Sequence, residues 1–539
     1  MLKYRSQVFI RSNRCFEFHS RLATRCIFSS RRRTMVTFTP AEKQHLFSFR
    51  DQYRWMYNEI EQYNARQISF DPDAVQRIAG SIVGGDCTQF ERFTDGAYNR
   101  IYILGFDNRK ELILRIPWSP VAGPSYFMTA SEVATMEFMR EVLDAPVPRV
   151  LAWSANAQTS PIGSEFILME GVLGRCSELA FSQIGSLYFK EDVSEELQGR
   201  PLFSKSVNLD ENLRKASEKY RVGPIADRHW WRCGRANMDL DRGPWPDVAS
   251  YFRAAVHSEI AFIKSPYALS SPFRRAPLET REEHLKLLND YLTLIPYILP
   301  PDEFCTPTIW HPDPNGGNIM NGSNFEITGL IDWQHTVIAP YFTQHLAIPT
   351  AFKYTEMFLP IPEIGYPSLP DDFEEYDPEF QKFYRSQMQK VTRHRLFEIS
   401  INKVDPRRAK FYALSHAITS WMFFPLPVLR IWSDGAREIK CDLALTRRYW
   451  SEISEEPFPI QMSADDEERW LKEFIQGEVY LENCEQLRRK LEIEGDGLVT
   501  VESYENIKKL LADEENTWVD EEKGGPFPFK DGMWSSYLN

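Results

Sequence analysis

The stretch IWHPDPNGGNIMNGSNFEITGLIDW, residues 309–333, carries the strongest structural signal in the chain. It contains the spacing HxDxxxxN, in His311, Asp313 and Asn318. An Asn-Gly pair follows, which is a strong signal for a hairpin turn between two strands. The second of these strands would lead into an acid, Asp332. Asn318 and Asp332 are therefore predicted to lie together at the open end of one hairpin.

The side chains of this stretch suit a magnesium ion and a phosphate. Mg²⁺ prefers hard oxygen ligands and keeps positions open for phosphate oxygens and water, so Asn318 and Asp332 are predicted metal ligands. Asp313 lies on the preceding loop and is predicted to act as a general base, or to orient an acceptor hydroxyl toward a γ-phosphate. His311 is predicted to brace the loop by hydrogen bonding.

A small sheet is predicted upstream of this stretch. Strand-like runs occupy residues 90–93, 99–106, 112–116 and 166–169, and residues 131–143 have apolar side chains at helical spacing. The turn before the second run contains Gly96, Ala97 and Asn99. Its backbone N–H groups could approach the phosphates of a nucleotide, with Gly96 supplying the conformational freedom. Taken alone, the same pattern describes an ordinary hairpin turn.

Two further pairs of residues complete the predicted nucleotide site. Arg115 lies near the end of the run 112–116, where it can contact α- and β-phosphates while Glu132 holds it by an ion pair. Taken alone, such a pair is more often a surface salt bridge. Met169 and Glu170 end the run FILME and are predicted to present backbone groups to an adenine ring.

The character of the chain becomes mainly helical from residue 174, so a small sheet lobe is predicted to precede a larger helical lobe. Helical patterns cover 248–263, 279–294, 380–397, 406–424, 464–491 and 504–511. The predicted units are a transit peptide (1–36), a helical segment (37–84), the sheet lobe (85–173), the helical lobe (174–430) and a helical C-terminal extension (431–539).

The charge distribution separates the first 36 residues from the rest of the chain. They carry nine Lys or Arg and one acid, whereas the whole chain has a formal charge of −13. This basic, acid-poor start is typical of a mitochondrial transit peptide, with a disordered basic tail as the alternative. An acidic body argues against broad nucleic-acid binding, because phosphate backbones need a basic face.

Cysteine spacing and hydropathy suggest neither a disulfide framework nor a membrane span. The eight cysteines show no CxxC or paired ligand spacing and are predicted to be reduced. The longest apolar stretch, 413–429, contains His416, Pro425 and Pro427 and fails as an uncharged span of eighteen residues. The sequence predicts a soluble or peripherally attached mitochondrial protein and leaves its oligomeric state open.

These motifs resemble those of the aminoglycoside phosphotransferase-like kinases, and more closely those of the fungal altered-inheritance-of-mitochondria proteins. The resemblance spans roughly residues 85–430. The segments that carry it are ASEVATMEFMR, APVPRVLAWS, EFILME, IGSLYF, VGPIADRHWW, HPDPNGGNIM and IDWQ. It implies an α+β, protein-kinase-like two-lobed fold, with a small antiparallel-sheet N-lobe and a larger, mainly helical C-lobe, that uses ATP and Mg²⁺.

Residue by residue, the resemblance implies Asp313 as the catalytic aspartate and Asn318 and Asp332 as metal ligands. It also implies Glu132 as the pairing glutamate and a hinge near Glu170. The chain departs from the family at two places. Arg115 stands where a lysine is usual, and only residues 171–181 join FILME to SQIGSLYF, either as a genuine shortening or as an error in the gene model.

Three functions stay open on the sequence. The first is an ATP- and magnesium-dependent phosphotransferase acting on a hydroxyl of an unknown small molecule. The second is a pseudokinase that serves as a binding or scaffold protein in mitochondrial maintenance. The third is a metal-dependent hydrolase that uses Asp313, Asp332 and either His311 or His335. The stretch 228–245, rich in Trp and Arg, either helps line an acceptor pocket or forms a packing cluster.

Overall fold

The computed structural model describes residues 35–530, apart from 48–52, 97, 119–122, 171–178, 271–279, 322–326, 347, 350–351, 355–358, 363–364 and 495–496. Nearly all of the predicted transit peptide lies outside the described residues. The same is true of Ala97, of most of the short linker after FILME and of the Asn-Gly turn from residue 322 onward.

The strands are β1 Tyr53–Trp55, β2 Cys87–Asp95, β3 Asn99–Phe106, β4 Glu111–Pro117, β5 Val150–Ser154, β6 Phe166–Met169, β7 Ser186–Phe189, β8 Tyr220–Gly223, β9 Pro307–Ile309, β10 Ile319–Asn321, β11 Ile327–Leu330, β12 Ile338–Pro340 and β13 Leu498–Thr500.

The longer helices are Pro40–Phe47, Glu59–Ala65, Pro72–Val83, Phe127–Glu141, Glu211–Lys219, Val248–Lys264, Arg281–Ile298, Pro378–Val404, Arg407–Tyr412, Arg437–Arg448, Ala464–Lys490 and Val501–Thr517. Helices of four or five residues are Glu195–Gln198, Pro266–Ser270, Asp302–Cys305, Tyr341–Gln344, His416–Thr419, Leu426–Leu429, Ile431–Asp434 and Asp520–Lys523.

The fold mixes helices with a small antiparallel sheet of five strands, in the order β2-β3-β4-β6-β5. Two of the predicted strands, 99–106 and 166–169, have the predicted bounds, and the other two are longer than predicted. Strand β5 was not predicted. All five of its residues, Val150–Ser154, are only partly buried, so it lacks the alternation of buried and exposed positions that marks a strand in sequence.

Alternation along β4 places Arg115 on the face of the sheet that carries the site. Leu112, Leu114 and Ile116 pack into an apolar cluster with the helix Pro72–Val83. Because successive side chains of a strand point to opposite faces, Arg115 faces the other way. That face is covered by the helix Phe127–Glu141, which packs with Ile167 and Met169 of β6.

The first and last parts of the described chain are joined by a two-stranded sheet. Strand β1 pairs antiparallel with β13, with Trp55 opposite Leu498. The guanidinium of Arg54 lies 3.6 Å above the ring of Tyr504, and Tyr57 packs with apolar side chains of the C-terminal helices. These two short strands were not predicted within the helical segments 37–84 and 431–539.

The largest apolar cluster lies among the helices Val248–Lys264, Arg281–Ile298 and Arg437–Arg448. The helix predicted over 406–424 is interrupted, because the Ser415 hydroxyl accepts a hydrogen bond from the Ala417 amide and begins a new helix there. Among the described residues, the helices all fall short of the length and apolarity that a bilayer crossing would need.

The stretch 228–245, which precedes the helix Val248–Lys264, is largely a packing cluster. This was one of the two predicted alternatives. Trp230 and Trp245 are buried against each other and against Tyr251. Arg235 is buried and forms a 2.5 Å ion pair with Glu259. These contacts fix the path of the segment that begins at Arg228.

Candidate functional site

Strand pairing brings the two predicted site loops side by side. Strand β9 pairs with β12, and β10 pairs with β11, so the loops 310–318 and 331–337 both leave the same ends of paired strands. The Ile331 amide donates to the Asn318 carbonyl at 3.0 Å. Asn318 and Asp332 are therefore neighbours, as the hairpin prediction required.

His311 braces these two loops, as predicted. Its Nδ1 accepts from the Asp313 amide at 3.2 Å, and its Nε2 lies 2.9 Å from the Ile331 carbonyl. This requires the neutral tautomer with the proton on Nε2, in accord with burial, which lowers the pKa of the imidazole. Since both ring nitrogens are used, His311 is not available as a metal ligand.

Asp313 and Asn318 are partly exposed, and each is oriented by its own loop. The Asn318 amide nitrogen donates to the Asp313 carbonyl at 2.8 Å, which leaves its Oδ1 as the atom suited to a cation. The Asp313 carboxylate accepts from the Asn315 amide nitrogen at 2.8 Å. Asp313 is thus held on the loop surface rather than sealed in the core.

Asp332 has two features expected of a cation ligand. Its φ of 64° places it in the left-handed region, which few residues other than Gly adopt. Its Oδ1 is buried without a hydrogen-bond partner among the described residues, an arrangement that a cation would satisfy. The donor set fits Mg²⁺, because it offers one carboxylate and one amide oxygen. Within the described part of the chain, His, Cys, Asp and Glu nowhere group in threes as a metal site.

Arg115 links this loop to the helix Phe127–Glu141. Both of its terminal nitrogens donate to the Glu132 carboxylate, so the predicted ion pair is present, and it is buried rather than on the surface. Its Nη1 also lies 3.8 Å from Asp332 Oδ1. Burial raises the pKa of Glu132 to about 7, the Arg115 charge opposes that rise and the Asp332 charge adds to it.

Glu165 anchors the start of the helix that carries Glu132. Its carboxylate accepts hydrogen bonds from the hydroxyls of Ser125 and Thr129, the latter at 2.9 Å. Glu165 is only 3% exposed, and burial raises its pKa from an ordinary value near 4.5, against the opposing effect of these hydroxyls. The carboxyl therefore binds its proton more tightly in the folded protein than in the unfolded chain.

This raised pKa predicts the sign of a pH effect. The contribution of Glu165 to stability should be fully present below pH 4.5 and be lost as the pH rises through its folded pKa. We expect Glu165→Gln to remove this dependence, so that the variant gains stability relative to the wild type between pH 4.5 and 8. Urea denaturation across that range checks it. A difference that is constant with pH, or that shrinks, would contradict the prediction.

The turn between β2 and β3 is closed by a hydrogen bond from the Gly96 amide to the Asn99 carbonyl, at 2.8 Å. Gly96 is exposed, whereas Asn99 is 8% exposed. The Asn99 amide nitrogen donates to Gln334 Oε1 at 2.7 Å. The Asn99 side chain therefore links this turn to the loop of Asp332.

The predicted hinge uses its backbone donor inside the protein. Met169 is buried and pairs with Ile113 on one side and Val150 on the other. The Glu170 amide donates to the Arg149 carbonyl at 2.9 Å. The Glu170 amide is therefore already hydrogen-bonded within the protein, to the residue that precedes β5.

Two residues of the site were missed by sequence reasoning. Gln334 joins the Asp332 loop to the turn through Asn99, and its amide nitrogen donates to the Met128 sulfur at 2.8 Å. Tyr98 meets the ring of His335 edge to face at 5.7 Å. Gln334 lies within the quoted IDWQ motif, and that motif was the available signal. Tyr98 had no such signal, because its partners are distant in sequence.

Solved structures and sequences of known proteins offer matches to this chain. A putative fructosamine-3-kinase from Thermobifida fusca matches with a TM-score of 0.32 and 11% identity, covering 70% of this chain and 98% of that chain. Protein-family models give no match.

In sequence, the chain is similar to a subtelomeric hrmA-associated cluster protein of Aspergillus fumigatus, with 25% identity over 483 residues, or 78% of this chain and 91% of that protein. It is also similar to the mitochondrial altered inheritance of mitochondria protein 9 of Clavispora lusitaniae, with 24% identity over 369 residues, or 59% of this chain and 58% of that protein. The chain thus spans less than two thirds of this second relative. The resemblance to the altered-inheritance-of-mitochondria proteins is confirmed.

Proposed function

We propose that this protein is an ATP- and magnesium-dependent phosphotransferase with a kinase-like two-lobed fold, which transfers the γ-phosphoryl group to a hydroxyl of a small molecule. The proposal includes the division into a sheet lobe (85–173), a helical lobe (174–430) and an extension (431–539). The single observation that carries it is the position of Arg115. Its guanidinium pairs with Glu132 and lies 3.8 Å from Asp332, so one cation joins the sheet to the proposed metal loop.

Each residue of the site has a distinct role in this proposal. Asn318 Oδ1 and the Asp332 carboxylate would hold Mg²⁺, which would neutralise charge on the phosphate oxygens. Asp313 would accept the proton of the acceptor hydroxyl while the oxygen of that hydroxyl forms a bond to the γ-phosphorus. The bond from that phosphorus to the bridging oxygen breaks, and the products are ADP and a phosphate ester. His311 would keep the two loops in register.

The role of Asp313 can be tested with the purified full chain. We expect Asp313→Asn to retain binding of magnesium and ATP but to lose about 10²–10⁴-fold in turnover, the usual contribution of a general base. The assay is ATP consumption with a panel of hydroxylated metabolites. Asp371→Asn, at an exposed position, serves as the control for loss of one carboxylate. Turnover equal to the parent in Asp313→Asn would exclude this role.

A second candidate, a nucleotide-sensing or scaffold protein, is favoured by the details of the ion pair. Both terminal nitrogens of Arg115 are used by Glu132, and its Nε is buried without a partner among the described residues. Few donors are then left for phosphates where the family usually has a lysine. Thermal stabilisation by ATP and magnesium without any turnover would support this candidate over the enzyme.

We propose a mitochondrial location for the protein. Its support is the basic, acid-poor segment 1–36 together with relatives that are named as mitochondrial in several yeasts. Expression with a C-terminal fluorescent tag, compared with a form that lacks residues 2–36, tests the location. Mitochondrial fluorescence in both forms would show that this segment is not the targeting signal.

A further inference from the structure

A group of three arginines lies outside the proposed catalytic residues, on the segment 228–232 and at residue 430. The short helix Leu426–Leu429, which Arg430 follows directly, packs against the turn Arg228–Trp230. Burial lowers the pKa of Arg232 to about 10, and among its neighbours the positive charges of Arg430 and Arg228 lower it further. The three guanidinium groups are thus within electrostatic reach of one another.

The carboxylates near this group are already engaged. Asp434 forms an ion pair with Arg430. Asp227 accepts from the His229 amide and lies 2.8 Å from the His229 ring nitrogen Nδ1. Arg228 adds a further buried positive charge to this group. Burial of such a charge is costly unless an anion approaches it.

Arg228 has an unused terminal donor. Its side chain is 7% exposed, and its Nη1 is buried with no hydrogen-bond partner in the described part of the chain. Its guanidinium carbon lies 4.8 Å from the centre of the Tyr98 ring. An unpaired guanidinium in such a position offers the planar donors that bind carboxylate and phosphate oxygens well.

The position of Tyr98 connects this group to the proposed catalytic site. Tyr98 belongs to the turn that follows β2, and His335, whose ring meets it at 5.7 Å, lies three residues after Asp332. Phe127, at the start of the helix that carries Glu132, packs on Trp231 at 4.7 Å between ring centres. The arginine group thus adjoins the elements of the site without supplying any of its proposed catalytic side chains.

We propose that Arg228, Arg232 and Arg430 form a binding site for an anionic group of the acceptor, so that the acceptor is a hydroxylated small molecule that carries a phosphate or a carboxylate. That the bound molecule is an acceptor rests on the proposed phosphotransferase function. The anion site itself is a property of these three side chains, and it can be measured without any turnover.

The test is isothermal titration of the full chain with inorganic phosphate, in the presence of saturating magnesium and a non-hydrolysable ATP analogue. We expect wild-type protein to bind phosphate with the analogue present, and Arg228→Met to weaken this binding at least about tenfold, as loss of a charge-assisted contact should. Arg228→Lys should restore part of it. Arg253→Met, which removes one exposed charge from the next helix, should bind like the wild type.

The outcomes separate the possible explanations. Phosphate binding that disappears when the analogue is present would place the anion in the nucleotide site and overturn the proposal. Arg228→Met protein that melts earlier but binds phosphate normally would show a merely structural stacking on Tyr98, and would overturn it too. If Arg228→Met does not fold, Arg232→Gln, at a partly exposed position, must show the same weakening. Phosphate binding in a protein that fails to bind ATP would refute the phosphotransferase function and leave the anion site in place.

Discussion

Asp332→Asn is expected to weaken magnesium-dependent binding of ATP by at least about a hundredfold. Changes in side chains that merely orient metal ligands lower metal affinity or activity about 10–100-fold, and Asp332 is the proposed carboxylate ligand itself. The change also removes the negative charge that lies 3.8 Å from Arg115. Titration with ATP in the presence and absence of magnesium measures the effect.

The comparison with Asp313→Asn makes this test specific. Asp313→Asn should keep its affinity for magnesium and ATP, whereas Asp332→Asn should bind ATP equally weakly with and without magnesium. The control Asp371→Asn should behave as the wild type. Unchanged magnesium dependence in Asp332→Asn would mean that this carboxylate does not hold the ion, and the proposed site would have to be abandoned.

Glu132→Ala is expected to destabilise the protein by about 3–5 kcal/mol, because it leaves the Arg115 guanidinium buried without its partner. Arg115→Met should cost less, since Glu132, with a pKa raised to about 7 by burial, can bind a proton and become neutral. The guanidinium of an arginine cannot become neutral in this way, because it does not lose its proton in proteins. The free energy of unfolding, from urea denaturation at pH 7, measures both changes.

A double variant tests whether the lost stability can be recovered, and a variant at a surface ion pair serves as the control. Arg115→Met combined with Glu132→Leu should recover most of the lost stability, because an apolar pair often replaces a buried ion pair without loss. Glu137→Ala, on the same helix, removes a partly exposed partner of Lys219 and should cost less than about 1 kcal/mol. A cost for Glu132→Ala as small as that for Glu137→Ala would show that the buried pair contributes little.

The parts of the fold that could be predicted are those fixed by local patterns. The hairpin containing Asn318 and Asp332, the strand 99–106 and the bracing role of His311 all follow from residues within about 25 positions of each other. The Arg115–Glu132 pair was predicted because Arg115 lies near the end of a strand and Glu132 lies early in the helix that follows, and the family resemblance implied Glu132 as the partner.

The parts that could not be predicted depend on contacts between distant residues. Strands β1 and β13 have three residues each and lie more than 440 positions apart, so local propensity gave no indication that they pair. The Glu170 amide donates to the carbonyl of Arg149, which lies just before the unpredicted strand β5. The stacking of Arg228 on Tyr98 joins residues 130 positions apart, and only the folded chain reveals it.

The pairing of β1 with β13 also bears on how the protein is made. A ribosome must synthesise residues 498–500 before Tyr53–Trp55 can find their partner, so nascent chains carry an unmatched strand edge for most of translation. Contacts of such large sequence separation form slowly. We therefore expect β1 to stay unpaired until synthesis has passed residue 500, and a premature stop codon before residue 498 to leave β1 without its partner.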